Sequence, residues 1–425
     1  MKSPPKPGGL FLFHTLLIFN FDRSIKPDGM NLIFFDDQTR ENLLPLTFTR
    51  PVCELRVGIL TIRDKWEKQL NLKGSFVTEE YLREKFPLSI GEDNLFINGS
   101  ILPDKNLLNS IRNLKTGSRL MSGEIILAQR LAGTALKGFE KNQNLPSAET
   151  INYPDKINKI DFSWDLFARN EQAIADDFAF LTAGRKSQPV PVSNKCIQPE
   201  NIFLEEGVKV ECAILNASTG PIYLAKDSEV MEGAMIRGPF SLGEHAQVKM
   251  GAKIYGATTI GPECRVGGEI SNSVIMGYSN KGHDGFLGNS VLGEWCNLGA
   301  DSNNSNLKNN YSKVKVWSYK EEQFINTGLQ FCGLIMGDHS KCSINTMFNT
   351  GTVVGVSANI YGNGFPPKFV PSFSWGGSEG FKTYRIEEAI EVAQRVYERR
   401  KMDFNATEQK ILKHLFDFTT KYRAW

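Results

Sequence analysis

An excess of charge of either sign is missing from this 425-residue chain: 49 Lys and Arg face 47 Asp and Glu, a net +2. Such a balance argues against a polybasic protein that binds nucleic acid or a membrane surface. Paired cysteines are also missing. Cys53, Cys196, Cys212, Cys264, Cys296, Cys332 and Cys342 are scattered, with no C-x-x-C. That removes the zinc-ribbon and thioredoxin readings, and an odd, unclustered set points to reduced thiols and a cytoplasmic setting. Long hydrophobic runs are lacking. Residues 10–21, LFLFHTLLIFNF, are broken by His14 and Asn20 and are too short to span a bilayer. Asp22-Arg23 follows where a secretory signal would carry small residues. Met-Asn-Leu-Ile-Phe-Phe from Met30 reads as a natural first strand, which makes 1–29 an extension ahead of the true start. Glycine is sparse except in one region: 26 of 38 fall between residues 200 and 380.

What is present suits folded domains. With 28 Phe and 6 Trp the chain has ample apolar surface to bury, which excludes disorder. Residues 31–35 read as a strand ending at Asp36-Asp37, and Leu95-Phe96-Ile97 as another ending at Asn98-Gly99. Ile125-Ile126-Leu127 reads as a third strand. Leu55, Ile59, Ile62 and Trp66 recur at helical spacing, as do Phe167, Ile174, Phe178 and Leu181 before Gly184. Asp104 is placed to cap a helix carrying Leu107, Leu108 and Ile111. Strands alternating with helices predict an α/β layer fold, whose ligands bind at the carboxyl ends of strands. Asp36–Arg40 and Asn98–Asp104 therefore edge the candidate site, and Pro189, Pro191 and Pro199 mark a linker over 185–199.

The second half carries a six-residue period. Leu224, Val230, Ile236, Leu242, Val248, Ile254, Ile260 and Val266 follow it without a break. Phe286, Leu292 and Leu298 resume it, then Met336, Cys342, Phe348, Val354 and Ile360, while Ile202, Val208 and Ile214 begin it. This is the hexapeptide signature of a parallel β-helix, in which each apolar residue points into a triangular prism. Small residues at positive φ in its turns account for the glycine excess. Two interruptions, 267–285 with Lys281-Gly282-His283 and the Asn-rich 302–333, are where binding chemistry is expected. Ile386, Ile390, Ala393 and Tyr397 read as a helix, and Asn405 with Glu408 as a capping box opening another.

An α/β domain followed by hexapeptide repeats resembles the bifunctional UDP-N-acetylglucosamine pyrophosphorylase/glucosamine-1-phosphate N-acetyltransferases, most closely a divergent bacterial branch. Lys281-Gly282-His283-x-x-Phe286-Leu287-Gly288 is similar to that family's segment around its catalytic histidine, and Asn297-Leu298-Gly299-Ala300 follows at the family's distance. The resemblance implies a Rossmann-like nucleotidyltransferase domain over 30–184, a left-handed parallel β-helix over 200–375 and C-terminal helices over 376–425. It implies His283 as general base, with Lys281, Asn297, Ala300 and Asn306 near sugar phosphate or acetyl-CoA. A sugar ammonium must lose a proton before it attacks a thioester, and imidazole suits that task near neutral pH. Sites between the subunits of a homotrimer are implied as well.

The first domain departs from that family's pattern. Its Gly-rich phosphate loop is replaced by Asp36-Asp37-Gln38-Thr39-Arg40, and its Gly-Asp metal site by Gly99-Ser100. Arg40 and Arg50 are left as candidate phosphate ligands, and Asp36, Asp37 or Asp104 as candidate holders of Mg2+. UTP, a sugar phosphate and acetyl-CoA are the expected small-molecule partners, with no nucleic acid and no membrane. A competing reading is a sugar-nucleotide-binding or assembly subunit without turnover; another is acetylation of a different amino sugar. A zinc-dependent hydratase would need three converging histidines, and His245, His283 and His339 include no short-spaced pair.

Overall fold

The computed structural model describes residues 29–139 and 144–425. The apolar run at 10–21 lies outside the described residues. Among the described residues, six strands form the sheet of the first domain: β1 (Met30–Phe35), β2 (Gly74–Val77), β3 (Asp93–Asn98), β4 (Ser118–Ser122), β5 (Ile125–Ala132) and β6 (Glu149–Asn152). Their order is β2-β1-β3-β5-β4-β6. β1 runs parallel to β2 and β3, whereas β5 is antiparallel to β3 and β4. The sheet is thus mixed rather than a simple alternation of parallel strands and helices. Both faces are covered, which is why Leu32–Phe35 of β1 are all apolar. Leu32 and Phe34 join Leu95, Ile97 and Trp66 on one side, and Ile33, Phe35 and Phe96 pack on the other.

The helical spacing through Leu55 and Ile59 does not make a helix. Helix α1 starts only at Ile62 (Ile62–Leu70), where Thr61 accepts from the Asp64 N–H. α2 (Lys105–Arg112) opens as expected, with Asp104 accepting from the N–H groups of Asn106 and Leu107. α3 (Asn170–Thr182) closes the domain, with Phe167 left in a separate short turn before it.

The second half is a parallel β-helix with, among the described residues, three sheets of six, nine and ten strands. Its core columns correct the register at both ends of the repeat. Leu204, Val210 and Leu215 stack under Leu224, Val230 and Ile236, whereas Ile214 lies outward and exposed. Leu287, not Phe286, continues the column above Ile270. The first strand, Lys195–Ile197, already lies within the span read as linker.

The interruption at 267–285 is a complete coil made short. From Val266 to its ladder partner Lys281 is 15 residues, against 18 from Val248 to Val266. The span 305–333 is a true insertion, with an antiparallel hairpin of Lys315–Ser318 and Gln323–Asn326. It turns back onto the first domain, where Tyr319 meets the Phe48 ring edge-on at 5.2 Å.

Glycine does less turning than expected. One corner column is left-handed at Asp227, His245, Glu263, Tyr278, Trp295, His339 and Ser357, none of them glycine. The glycines after inward residues serve close stacking of coils instead: a Cβ on Gly261 would lie 1.6 Å from the Met276 carbonyl oxygen.

The nine-stranded face of the β-helix is the docking surface for the first domain. Its outward residues Phe203 and Tyr223 pack on Ile59 and Ile174, and Val274, Met276, Val291, Ile335 and Val353 join the core of the first domain. The C-terminal helices α4 (Ile386–Glu398) and α5 (Ala406–Phe418) complete the cover. Asn405 caps α5 through the Glu408 N–H, while the Glu408 carboxylate goes to Lys85 rather than back to the cap. No helix among the described residues is long and apolar enough to cross a membrane.

Candidate functional site

In the first domain the carboxyl ends of β1 and β3 gather polar groups, as the fold class predicts, but these groups satisfy one another. Asp36 accepts from the Val52 N–H at 2.8 Å and the Thr78 hydroxyl at 2.7 Å. Burial pushes its carboxyl up to about 6 against the pull of Arg40. Asp37 accepts from the Thr39 N–H and from Asn98 Nδ2, both at 2.9 Å. Asp104 is committed to capping α2.

Mg2+ takes six oxygens in near-octahedral geometry and binds through one or two free carboxylates. Ser100 Oγ, where the resemblance would place a carboxylate, donates to Asn98 Oδ1 at 2.7 Å. Among the described residues no group of three His, Cys, Asp or Glu side chains converges as a metal site. This donor set does not fit a divalent cation.

The two arginines are committed elsewhere too. Arg40 is buried and donates to the Thr47 carbonyl and, at 3.0 Å, to Tyr81 Oη. Arg50 crosses to the β-helix, where it pairs with Asp338 and, at 3.0 Å, with Glu294. That removes Arg50 from the nucleotide-site candidates. The cation that does stand at this edge is Lys159, which was missed in the sequence. It donates to Thr39 Oγ1 and to Asp161 at 2.6 Å, with Asp37 at 3.7 Å. Its placement comes from an isolated bridge between Ile101 and Lys159, a tertiary pairing with no local signal.

In the β-helix, His283 lies exposed in the corner that joins Asn280–Lys281 to Phe286–Gly288. No hydrogen bond or ion pair engages its imidazole among the described residues. The next coil stacks Ala300 and Asp301 on the same corner, where the Asp301 N–H donates to the Asp284 carbonyl at 3.1 Å. Asn297 is exposed on the adjoining face, above Asn280.

The six-stranded sheet ends at Phe286–Gly288, and Asn303–Asn304 above it belongs to a separate pair. Side-chain amides bridge the split: the Phe286 N–H donates to Asn303 Oδ1 at 2.8 Å and the Gly288 N–H to Asn304 Oδ1 at 2.9 Å. Asn306 lies at the far end of this split, bonded to Asn289 Oδ1 at 2.8 Å. A three-residue strand, roughly 10 Å long, separates it from the His283 corner.

The structure therefore brings His283, Ala300 and Asn297 to one edge and sets Asn306 apart. Lys281 is not at the surface: it is 2% exposed and occupies an inward position of the prism. His245 and His339 belong to the left-handed corner column, a different edge from that of His283.

Comparison with known proteins finds matches to parts of the chain. Residues 32–186 match the family model described as sugar nucleotidyl transferase. A bifunctional protein GlmU of Methanococcus aeolicus is 33% identical over 95 residues, 22% of each chain. A bifunctional sugar-1-phosphate nucleotidylyltransferase/acetyltransferase of Sulfurisphaera tokodaii is 34% identical over 93 residues, 22% of this chain and 23% of that one. The chain thus spans about a fifth of the length of the curated relatives it matches. Among solved structures, the polysialic-acid-specific acetyltransferase NeuO aligns with 50% of this chain and 99% of its own, at 14% identity and a TM-score of 0.27. A segment that matches the sugar nucleotidyl transferase model, residues 32–186, is thus joined to a parallel β-helix, and part of the chain is similar to GlmU-type bifunctional proteins.

Proposed function

We propose that this protein transfers the acetyl group of acetyl-CoA to the amine of glucosamine 1-phosphate or a closely related amino-sugar phosphate. The observation that carries this reading is His283, exposed on a β-helix corner beside a split in one sheet. In the reaction, the imidazole takes a proton from the sugar ammonium. The freed nitrogen forms a C–N bond to the thioester carbonyl carbon, the C–S bond breaks, and the proton the nitrogen then sheds passes to the sulfur, so that CoA leaves as its thiol. The backbone N–H of Ala300, on the corner stacked above His283, is a candidate to hold the oxyanion.

For the first domain, the match to the sugar nucleotidyl transferase model supports recognition of UTP or of a sugar nucleotide such as UDP-N-acetylglucosamine. The closed contacts of Asp36, Asp37 and Asp104 favour binding without turnover. The six-stranded face of the β-helix supports a homotrimer, since Ile197, Ile214, Met235 and Tyr255 are large apolar residues left exposed on it. Seven free cysteines support a cytoplasmic setting.

Two assays on one preparation test the proposal. CoA release with glucosamine 1-phosphate is expected from the wild type and to fall about 100-fold or more in His283→Ala. An unchanged rate in the folded variant removes His283 as base. Pyrophosphate release from UTP and N-acetylglucosamine 1-phosphate is expected to be absent, and its appearance would make the first domain a nucleotidyltransferase.

A further inference from the structure

A charged side chain, Lys281, interrupts the apolar interior of the β-helix. The inward column that contains Lys281 otherwise holds Val210, Val230, Val248, Val266, Leu298, Cys342 and Ile360. Burying an ammonium in such a column is costly unless its donors are satisfied. Here all three are: Nζ donates to the carbonyls of Gly267 at 3.0 Å, His283 at 2.6 Å and Asp284 at 3.2 Å. Burial pushes the amine down to about 8, with Asp284 and Asp301 opposing.

These three carbonyls belong to two successive corners of unequal length. The lower one has only Gly267-Gly268 between its strands, and the His283 corner folds down onto it. A Cβ on Gly268, which has φ +69°, would lie 2.8 Å from the His283 oxygen. Carbonyl oxygens crowded at one edge repel each other, and a cation behind them offsets that repulsion.

We infer that Lys281 is a positioning residue for the His283 corner: its ammonium, held inside the β-helix, ties together the carbonyls of Gly267, His283 and Asp284 and fixes where the imidazole stands. This rests on the reading of His283 as the acetyl-transfer base. A residue that merely filled the prism would be replaceable by the apolar side chain that other coils use.

The test is Lys281→Met, which suits the column sterically, compared with His283→Ala and the double variant as full-length proteins. Hydrogen exchange over residues 282–286 is expected to quicken more than about tenfold in K281M, with the flanking coils unchanged. kcat for CoA release should fall about 10- to 100-fold, while KM for acetyl-CoA and sugar phosphate stays within about twofold. The double variant should be no slower than H283A. Wild-type exchange and kcat in a K281M protein that melts cooperatively would overturn the inference. If H283A keeps its rate, the base assignment falls. The exchange measurement still judges the tether, supporting it if raised and overturning it if unchanged. Should K281M not fold, K281Q takes its place, with the same expectations and the same overturning result.

Discussion

Arg50 offers a direct test of how the two halves are held together. Its side chain is 7% exposed and that of Asp338 is 4% exposed, so the pair is shielded from solvent on both sides of the junction. Asp338 also accepts from Thr49 Oγ1 at 2.7 Å and from the Glu294 N–H at 2.8 Å. Burial alone would weaken the charge on Arg50, but Asp338 and Glu294 outweigh it and hold the guanidinium ionised.

Arg50→Met keeps the apolar stem and removes the charge, leaving Asp338 buried without its cation. Breaking a buried pair in this way costs about 3–5 kcal/mol. Glu294 is 30% exposed and contributes less, because solvent screens it. Urea unfolding followed by tryptophan fluorescence should show the loss in the first transition. Adding Asp338→Asn should recover a large part of it, with a coupling energy of about 1–3 kcal/mol in the double-mutant cycle. If R50M unfolds within about 0.5 kcal/mol of the wild type, or if the coupling vanishes, the pair does not hold the docked face and the reasoning fails.

Further outcomes follow from other contacts. Asp36 binds its proton more tightly when folded, with a pKa of about 6 against the ordinary 3.8, so its contribution favours the folded state at low pH and is lost as pH rises through about 4 to 6. Asp36→Asn should remove up to about 3 kcal/mol of that pH dependence, read from urea midpoints between pH 4 and 7, without lowering stability at pH 7. Asn170 is fully buried and joins the halves by accepting from the Gly58 N–H and Thr259 Oγ1 and donating to the Ala257 carbonyl. Asn170→Ala is therefore expected to cost about 3 kcal/mol, checked by thermal melting. Gly261→Ala forces a Cβ into the Met276 carbonyl and should cost about 3 kcal/mol or more, seen as a lower Tm or loss of soluble protein.

Much of this architecture is legible in the sequence because its signals are local. β1 and β3 announce themselves as apolar runs ending in Asp36-Asp37 and Asn98-Gly99, and α2 by its cap at Asp104. The six-residue period names the β-helix because each coil repeats the same inward demand. The period gives less at its ends and at 267–285, where shortened corners shift the register while the prism continues. The resemblance puts Lys281 among the ligand contacts, beside His283. Only the ladder pairing with Val266 turns it inward.

The same division holds at the candidate sites. Sequence alone determined that the chain has an α/β half and a hexapeptide half, and that His283 lies beside an irregular coil. Tertiary structure decided that Arg50 is a joint rather than a phosphate ligand, that Asp36 and Asp37 are satisfied by Thr78, Asn98 and backbone N–H groups, and that the insertion packs on Phe48. The physical reason is range. Periodicity and capping act over a few residues and are written in order along the chain. A buried charge is satisfied by whichever partner the fold delivers, and Asp338 lies 288 residues from Arg50.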